Sequence, residues 1–532
     1  MDKVKGKINI TITPECSEGM AHTLAVRTVI SGSSFDEGAA FASLADTFAI
    51  CRSARYEKED ITASDEAGAL DVEVRKAIGR FGPEKQYFFN RKTSGDVTVT
   101  TRWKMPVRSF QTSDPGFTVY RNEKGCIGSL MTVLLIPDGI WDFDVHFDLS
   151  QMKDGVKAVS GYGEGDFSLS GDSDQARFVF FCIGADHRWH REGSKLSIVW
   201  FSDEMPMIED FCELVGDLFD HDEKFFHDDD KPYYIFLYPE NYVITTGTAL
   251  YRTCLMGYGP SLVKDIKDEE MIHTVAHELI HNWVSIEDED QTISTVYSEG
   301  NAEYYSALTA FRTGRYAKEQ YVDDINKMIR GFYANPRKHD PEEMCLQEAW
   351  SHSFAQRTSY GRGVIMMMAL DTLIRKETDG SKSLDDVVVK IAVDAQMGKP
   401  SDKAAWFGYL DELTDGKAEK VIEDRMSGRV IEPPADFFGD DYELSDISVR
   451  QFDFGFDDTV LFENPMKVHG LKPGSEAEKA GLRNGDVIVA KSPEVAPRAV
   501  FQISRNGSPS TVEYEARGAE VSCPQYVKKA NN

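Results

Sequence analysis

The chain has 532 residues, 41% of them hydrophobic and 11% aromatic, enough for about three domains with buried cores. Its formal net charge is −30, from 59 basic and 89 acidic residues, with a pI near 4.8. Such a balance excludes nucleic acid and anionic membrane surfaces as partners, because both need a basic face.

The amino end, Met1 to Lys7, lacks the apolar core of a signal peptide. A cytoplasmic location is therefore expected, or a secreted or periplasmic one where a leader has been removed. Ile8, Ile10 and Ile12 alternate with polar residues, as do Val97 and Val99, which predicts strands. Further β-rich runs follow at 129–136, 143–149, 177–183 and 196–201. Residues 1–190 read as a mainly antiparallel, sandwich-like β domain with one helical patch near 37–51. Pro206 to Phe219 has helical periodicity, and the acidic run from Asp220 to Asp230 reads as a solvated loop. Tyr233 to Tyr238 reads as a buried strand. Tyr242 to Met256 reads as an edge strand and turn, beside which an extended peptide could lie by β-addition.

The next segment, Asp268 to Trp283, has Ile272, Val275, Ala276, Leu279, Ile280 and Trp283 at helical spacing. It carries His277-Glu278-Leu279-Ile280-His281. Residues four apart share a helix face, so both imidazoles can reach one metal ion. Glu278 stands beside them, where a carboxylate can take a proton from water at the metal. Glu299, eighteen residues past His281, heads a second helical pattern closed by Gly314. It supplies the oxygen ligand that a two-histidine, one-carboxylate zinc site needs. Glu303, one turn further on, is a competitor for the third-ligand position, a hydrogen-bond acceptor for a ligand imidazole, or a plain surface carboxylate.

Helical patterns continue at 321–333, 341–350, 363–377, 383–394 and 404–413. The acidic, proline-containing stretch from Glu432 to Asp446 reads as a linker. A small β-rich module follows, with Gly470-Leu471-Lys472-Pro473-Gly474-Ser475 and a run from Ala480 to Val489.

Four motifs carry a resemblance to a known family. They are His277-Glu278-x-x-His281-x-Trp283; Tyr297-Ser298-Glu299-Gly300 with Tyr304-Tyr305; Tyr360-Gly361-Arg362-Gly363; and the run from Gly470 to Val489. In order and spacing, across roughly residues 230–490, they resemble the glycyl aminopeptidase family of zinc peptidases. Members are thermolysin-like enzymes related to the aminopeptidase N group, with a C-terminal PDZ domain. The resemblance implies an α+β multidomain fold: an N-terminal β domain at 1–190, a thermolysin-like zinc peptidase domain with a helical C-terminal part at 191–435, and a PDZ-like domain at 446–525. It implies one Zn2+ per chain on His277, His281 and Glu299, with Glu278 as the base. It also implies that Tyr360 donates to the oxyanion. The implied substrate is a peptide or protein losing small N-terminal residues such as Gly or Ala, and the PDZ-like groove could hold a peptide segment.

Two positions depart from that pattern. Arg362 stands where the family has lysine. Leu250 stands where the family has the glutamate that holds the substrate's amino terminus, and a leucine cannot pair with an ammonium group. Glu303 or the acidic 220s would then anchor the amine, or the enzyme cuts internally. A reading from another class, a catalytically idle PDZ scaffold, sits poorly with an intact His-Glu-x-x-His pentad.

Overall fold

The computed structural model describes residues 4–530 except 18–19, 49–50, 109–115, 202–204, 229–230, 240–246, 259–266, 287, 289, 464 and 492–497. The chain divides into two compact units. One comprises Met1–Cys212, Asp230–Asn241 and Thr246–Pro260; the other comprises Glu213–Asp229, Tyr242–Thr245 and Ser261–Asn532.

The first unit is built largely of strands. Ile8, Ile10 and Ile12 are each at most 1% exposed, as alternation requires of a strand with one buried face. Their strand, Lys7–Ser17, lies inside a seven-stranded sheet, antiparallel to Met20–Ser31 and parallel to Ile140–Phe147. Leu24, Val99, Trp141 and Phe143 complete that core. The helix expected near 37–51 is instead strand: Ala40–Ala45 pairs with Gly82–Phe89, and Phe41 stacks on Phe89 at 4.1 Å. The helix preference of its alanines is worth only tenths of a kcal/mol per residue, so cross-strand burial decides. The run at 129–136 likewise leaves the sheet after Ser129 in a buried 3-10 turn, Leu130–Thr132.

A five-stranded sheet closes this unit. Leu196–Trp200, Tyr233–Pro239 and Thr253–Tyr258 run parallel, with antiparallel edges at His187–His190 and Gly247–Leu250. Its central strand is a continuous apolar run, the pattern of a strand covered on both faces. The expected edge strand lies outside the described residues as far as 246 and is strand from Gly247. Leu250 packs beside Phe48, Met131 and Phe178, so the leucine serves a hydrophobic contact at this position. Helix α1 is Ser173–Arg177, and α2 is Ile208–Phe225. The acidic run expected as a loop is helical through its first half. Asp222 is fully buried and accepts a hydrogen bond from Thr309 Oγ1 at 2.8 Å; 229–230 lie outside the described residues.

The second unit is helical, then β. Its helices are α3 Glu269–Ile280, α4 Gln291–Arg312, α5 Lys318–Tyr333, α6 Glu342–Glu348, α7 Ser353–Glu377, α8 Leu384–Gln396, α9 Lys403–Thr414 and α10 Lys417–Met426. Asp268 caps α3 through Met271 N at 3.1 Å, and Asp290 caps α4 through Thr292 N at 3.1 Å. Helix α7 starts ten residues before the expected Gly363. Its glycines do not break it, because each meets a neighbouring backbone. A Cβ on Gly361 would lie 2.7 Å from Phe332 Cβ of α5, and one on Gly363 would lie 2.7 Å from Gly300 Cα of α4. Gly363→Ala is expected to destabilise the fold by about 1–3 kcal/mol through overpacking. Gly331→Ala in α5, where a Cβ meets nothing within 4 Å, is expected to be neutral or mildly stabilising. Thermal melting of the metal-free variants checks both.

Beyond α10, the stretch expected as a linker to 446 becomes strand at Tyr442. Tyr442–Phe452 pairs antiparallel with Arg517–Lys528. Between them lies a four-stranded antiparallel sheet of Met466–Lys467, Val487–Lys491, Ala499–Arg505 and Ser508–Tyr514, with the short helix α11, Glu476–Lys479. Asn506-Gly507, both at positive φ, make its two-residue hairpin turn. Phe454 and Phe456 share their hydrophobic core with Phe354 of α7 and Ala334. Among the described residues no helix is long and apolar enough to cross a membrane.

Candidate metal centre and catalytic residues

Helix α3 delivers its two histidines one turn apart, so that their Nε2 atoms face each other at 3.1 Å. Glu299, on α4, brings Oε2 to 3.5 Å from His277 Nε2 and 3.7 Å from His281 Nε2. Donor atoms about 2.0–2.2 Å from one tetrahedral zinc stand roughly 3.3–3.5 Å apart, close to these three separations. Glu299 Oε2 is buried with no hydrogen-bond partner. An orphaned carboxylate oxygen facing two imidazole nitrogens is the environment a divalent cation satisfies. The residues fit zinc.

The remaining ring nitrogens also face partners. His277 Nδ1 makes an ion-pair contact with Glu303 Oε1 at 3.1 Å without hydrogen-bond geometry, and His281 Nδ1 is hydrogen-bonded to Ser298 Oγ at 3.1 Å. Such partners fix which nitrogen faces a metal and make the imidazole more basic. The second oxygen of Glu303 lies 3.3 Å from His273 Nε2. Both carboxylate oxygens are thus engaged, which leaves Glu303 unavailable to a substrate amine. In the acidic 220s, Asp222 is buried against Thr309 and His221, and Asp228 accepts the Trp283 indole N–H at 2.9 Å. Trp283, stacked on Phe226 at 5.2 Å, therefore pins the turn that follows His281.

Burial and crowding set the charges. Burial pushes the Glu278 carboxyl up to about 7, opposed by His277 and aided by Glu299 and Glu303. Burial also works against charge on His277, but Glu299 and Glu303 outweigh it and raise that imidazole well above its ordinary value. Burial holds His281 down to about 4. Glu299, despite burial, stays below the usual carboxylate range because His281 and His277 face it. The cluster thus calls for positive charge, which a proton on His277 supplies and a metal cation supplies better.

Tyr360 sits in the second turn of α7, its ring 5.8 Å from that of His277. The Glu299 carboxylate first, then burial and Glu278, hold its phenol well above its ordinary pKa, so it remains an O–H donor. The backbone contact of Gly363 with Gly300, neighbours of Tyr360 and Glu299, sets the closeness of their two helices. Arg362 is not at the centre: it is 1% exposed and pairs with the buried Glu342 of α6 at 2.9 Å. The five residues chosen from the sequence come together around one locus. His273, Ser298 and Asp324 were not singled out. His273 repeats the four-residue spacing of His277 and His281, a legible signal; Asp324, on α5, carries none.

No protein-family model and no curated protein sequence matches the chain. Among solved structures, an M1 zinc metallopeptidase mutant bound to a Tyr-Ser-Ala substrate, from Deinococcus radiodurans, shares 12% identity over 81% of this chain and 95% of its own, with a TM-score of 0.44. An aminopeptidase N family protein from Idiomarina loihiensis shares 14% identity over 97% of both chains, with a TM-score of 0.66. At that identity the likeness speaks for architecture alone: this chain has an aminopeptidase N-like fold, mixed α/β and multidomain.

Proposed function

We propose that this chain is a zinc-dependent peptidase that hydrolyses peptide bonds with one zinc ion held by His277, His281 and Glu299. The observation that carries the reading is the convergence of these three donors, with an orphaned Glu299 oxygen, beside Glu278 and Tyr360. When bound, the ion polarises the scissile carbonyl and acidifies water at the site. Glu278, buried beside the three donors, takes the proton of the attacking water and returns it to the leaving nitrogen. Tyr360 keeps its proton against the surrounding carboxylates and donates a hydrogen bond to the developing oxyanion. Tyr360→Phe is expected to lower kcat about 10²-fold with KM little changed, as steady-state kinetics would register.

Aminopeptidase action on small N-terminal residues such as Gly or Ala is the activity that the resemblance of the motifs to the glycyl aminopeptidase family implies. A specific observation favours a second reading, an internal cut. Leu250 is spent on packing, and Glu303, Asp222 and Asp228 are spent on internal contacts, so none of these offers an amine anchor. The C-terminal module, expected as a PDZ-like peptide holder, shares a core with α7, which supports a fixed structural role.

Profiling cleavage of a mixed peptide pool tests the reading. Cleavage is expected to stop with a chelator and to return with added zinc. Loss of cleavage on amine acetylation means an aminopeptidase; persistence means an endopeptidase. Cleavage that survives zinc removal rejects the metal-dependent reading.

A further inference from the structure

Behind Glu303 the structure continues a line of charge away from the metal ligands. His273, one turn before His277 on α3, places Nε2 at 3.3 Å from Glu303 Oε2 and Nδ1 at 2.9 Å from Asp324 Oδ2. Asp324 comes from α5 and is 5% exposed; Glu303 comes from α4 and is 8% exposed. Ser306 Oγ lies 3.2 Å from His273 Nδ1 and donates to the Glu303 carbonyl at 2.8 Å. Three helices thus meet at one imidazole.

Two carboxylates this deeply buried need a cation or donors between them. His273 supplies both N–H groups. Burial works against its charge, yet Asp324 and then Glu303 raise it to about 10. The carboxylate of Glu303 also meets two imidazoles: His277 at one oxygen, His273 at the other. Its second oxygen is therefore what stops it rotating off His277. Carboxylates that hold a ligand histidine typically govern 10- to 100-fold of metal affinity.

We propose that His273 is a positioning residue, braced by Asp324, that locks Glu303 onto His277 Nδ1 and so sets how tightly the centre holds zinc. The proposal rests on the zinc reading above. His273 and Glu303, with His277, could themselves be taken as a second metal site. The brace accounts for them better, because His273 lies between two carboxylates and His277 Nδ1 already faces one.

The test is zinc affinity, measured on the purified full chain by competition with a chromophoric chelator. His273→Gln keeps the bulk and removes the charge. It is expected to weaken zinc binding about 10-fold, and Asp324→Asn to do the same by a lesser factor. In a Glu303→Gln background, His273→Gln is expected to add little, because its effect runs through that carboxylate. A merely structural histidine would give equal losses in both backgrounds, and that result overturns the proposal. So does a His273→Gln affinity within twofold of the wild type. Should His273→Gln fail to fold, Asp324→Asn and its pairing with Glu303→Gln give the same comparison. A wild-type chain that takes up no zinc instead defeats the metal reading itself, which is a separate outcome.

Discussion

Glu278→Gln is expected to lower kcat/KM on a susceptible peptide by about 10²–10⁴-fold while leaving one zinc per chain and an unchanged melting temperature. The substitution keeps the size of the side chain and removes only its basicity. Glu278 is buried beside the ligands without being one of them, so the metal set His277, His281 and Glu299 is untouched. A carboxylate next to the proposed ligands can accept a proton from water and return it to the leaving nitrogen. Zinc content by elemental analysis and steady-state kinetics together read the outcome. Equal cleavage by wild type and variant, both zinc-loaded, would mean that Glu278 is not the base and would favour the idle-scaffold alternative.

Glu342→Gln is expected to cost about 3–5 kcal/mol of folding stability and to leave soluble protein only if the native margin is large. Glu342 is fully buried at the start of α6. Its Oε2 lies 2.9 Å from Arg362 Nη1 and 3.3 Å from Arg425 Nη1, and both arginines are at most 1% exposed. Arg362 also donates to the Lys338 and Asp340 carbonyls, and Arg425 donates to the Ser359 carbonyl. Without the carboxylate, two guanidinium groups remain in the interior with no counter-charge. Although burial opposes its ionisation, Arg425 and Arg362 hold Glu342 below the usual carboxylate range. A carboxyl depressed on folding stabilises the protein above its unfolded value, about 4.3, and that contribution is lost as pH falls below it. Urea unfolding at neutral pH measures the first effect, and its pH dependence between about 5 and 3 measures the second. A stability change under 1 kcal/mol would show that water reaches the triad.

Because Arg362 belongs to this triad, the basic residue two beyond Tyr360 acts on that tyrosine only through the packing of α6 and α7. Arg362 stands two residues from Tyr360 in the motif yet faces Glu342 of α6. In a helix, residues two apart point to different faces, so adjacency in the motif says little about what each touches.

Local periodicity was enough for much of the chain. The alternation of Ile8, Ile10 and Ile12 and the apolar run from Tyr233 each dictate a strand, whatever else surrounds them. The stripe from Ile272 to Trp283 similarly dictates a helix that puts His277 and His281 on one side. The candidate ligand set follows only in part from spacing: two imidazoles four residues apart share a helix face, whereas Glu299, expected to head the next helix, lies eight residues inside α4, which starts at Gln291. Other features depended on partners distant in sequence. Ala40–Ala45 is a strand because Gly82–Phe89 lies beside it. The two glycines of α7 support a helix because α4 and α5 press against them. Leu250 packs, partly buried, against the cluster of Ala45, Phe48 and Met131. The brace of Asp324 and His273 behind Glu303 exists only where α3, α4 and α5 meet. What the sequence alone determined is thus which candidate groups, His277, Glu278 and His281, lie together on one helix, since spacing along one backbone sets which side chains share a face. Which neighbour occupies each remaining ring nitrogen and carboxylate oxygen was decided by tertiary packing, because those contacts join residues that no local period connects.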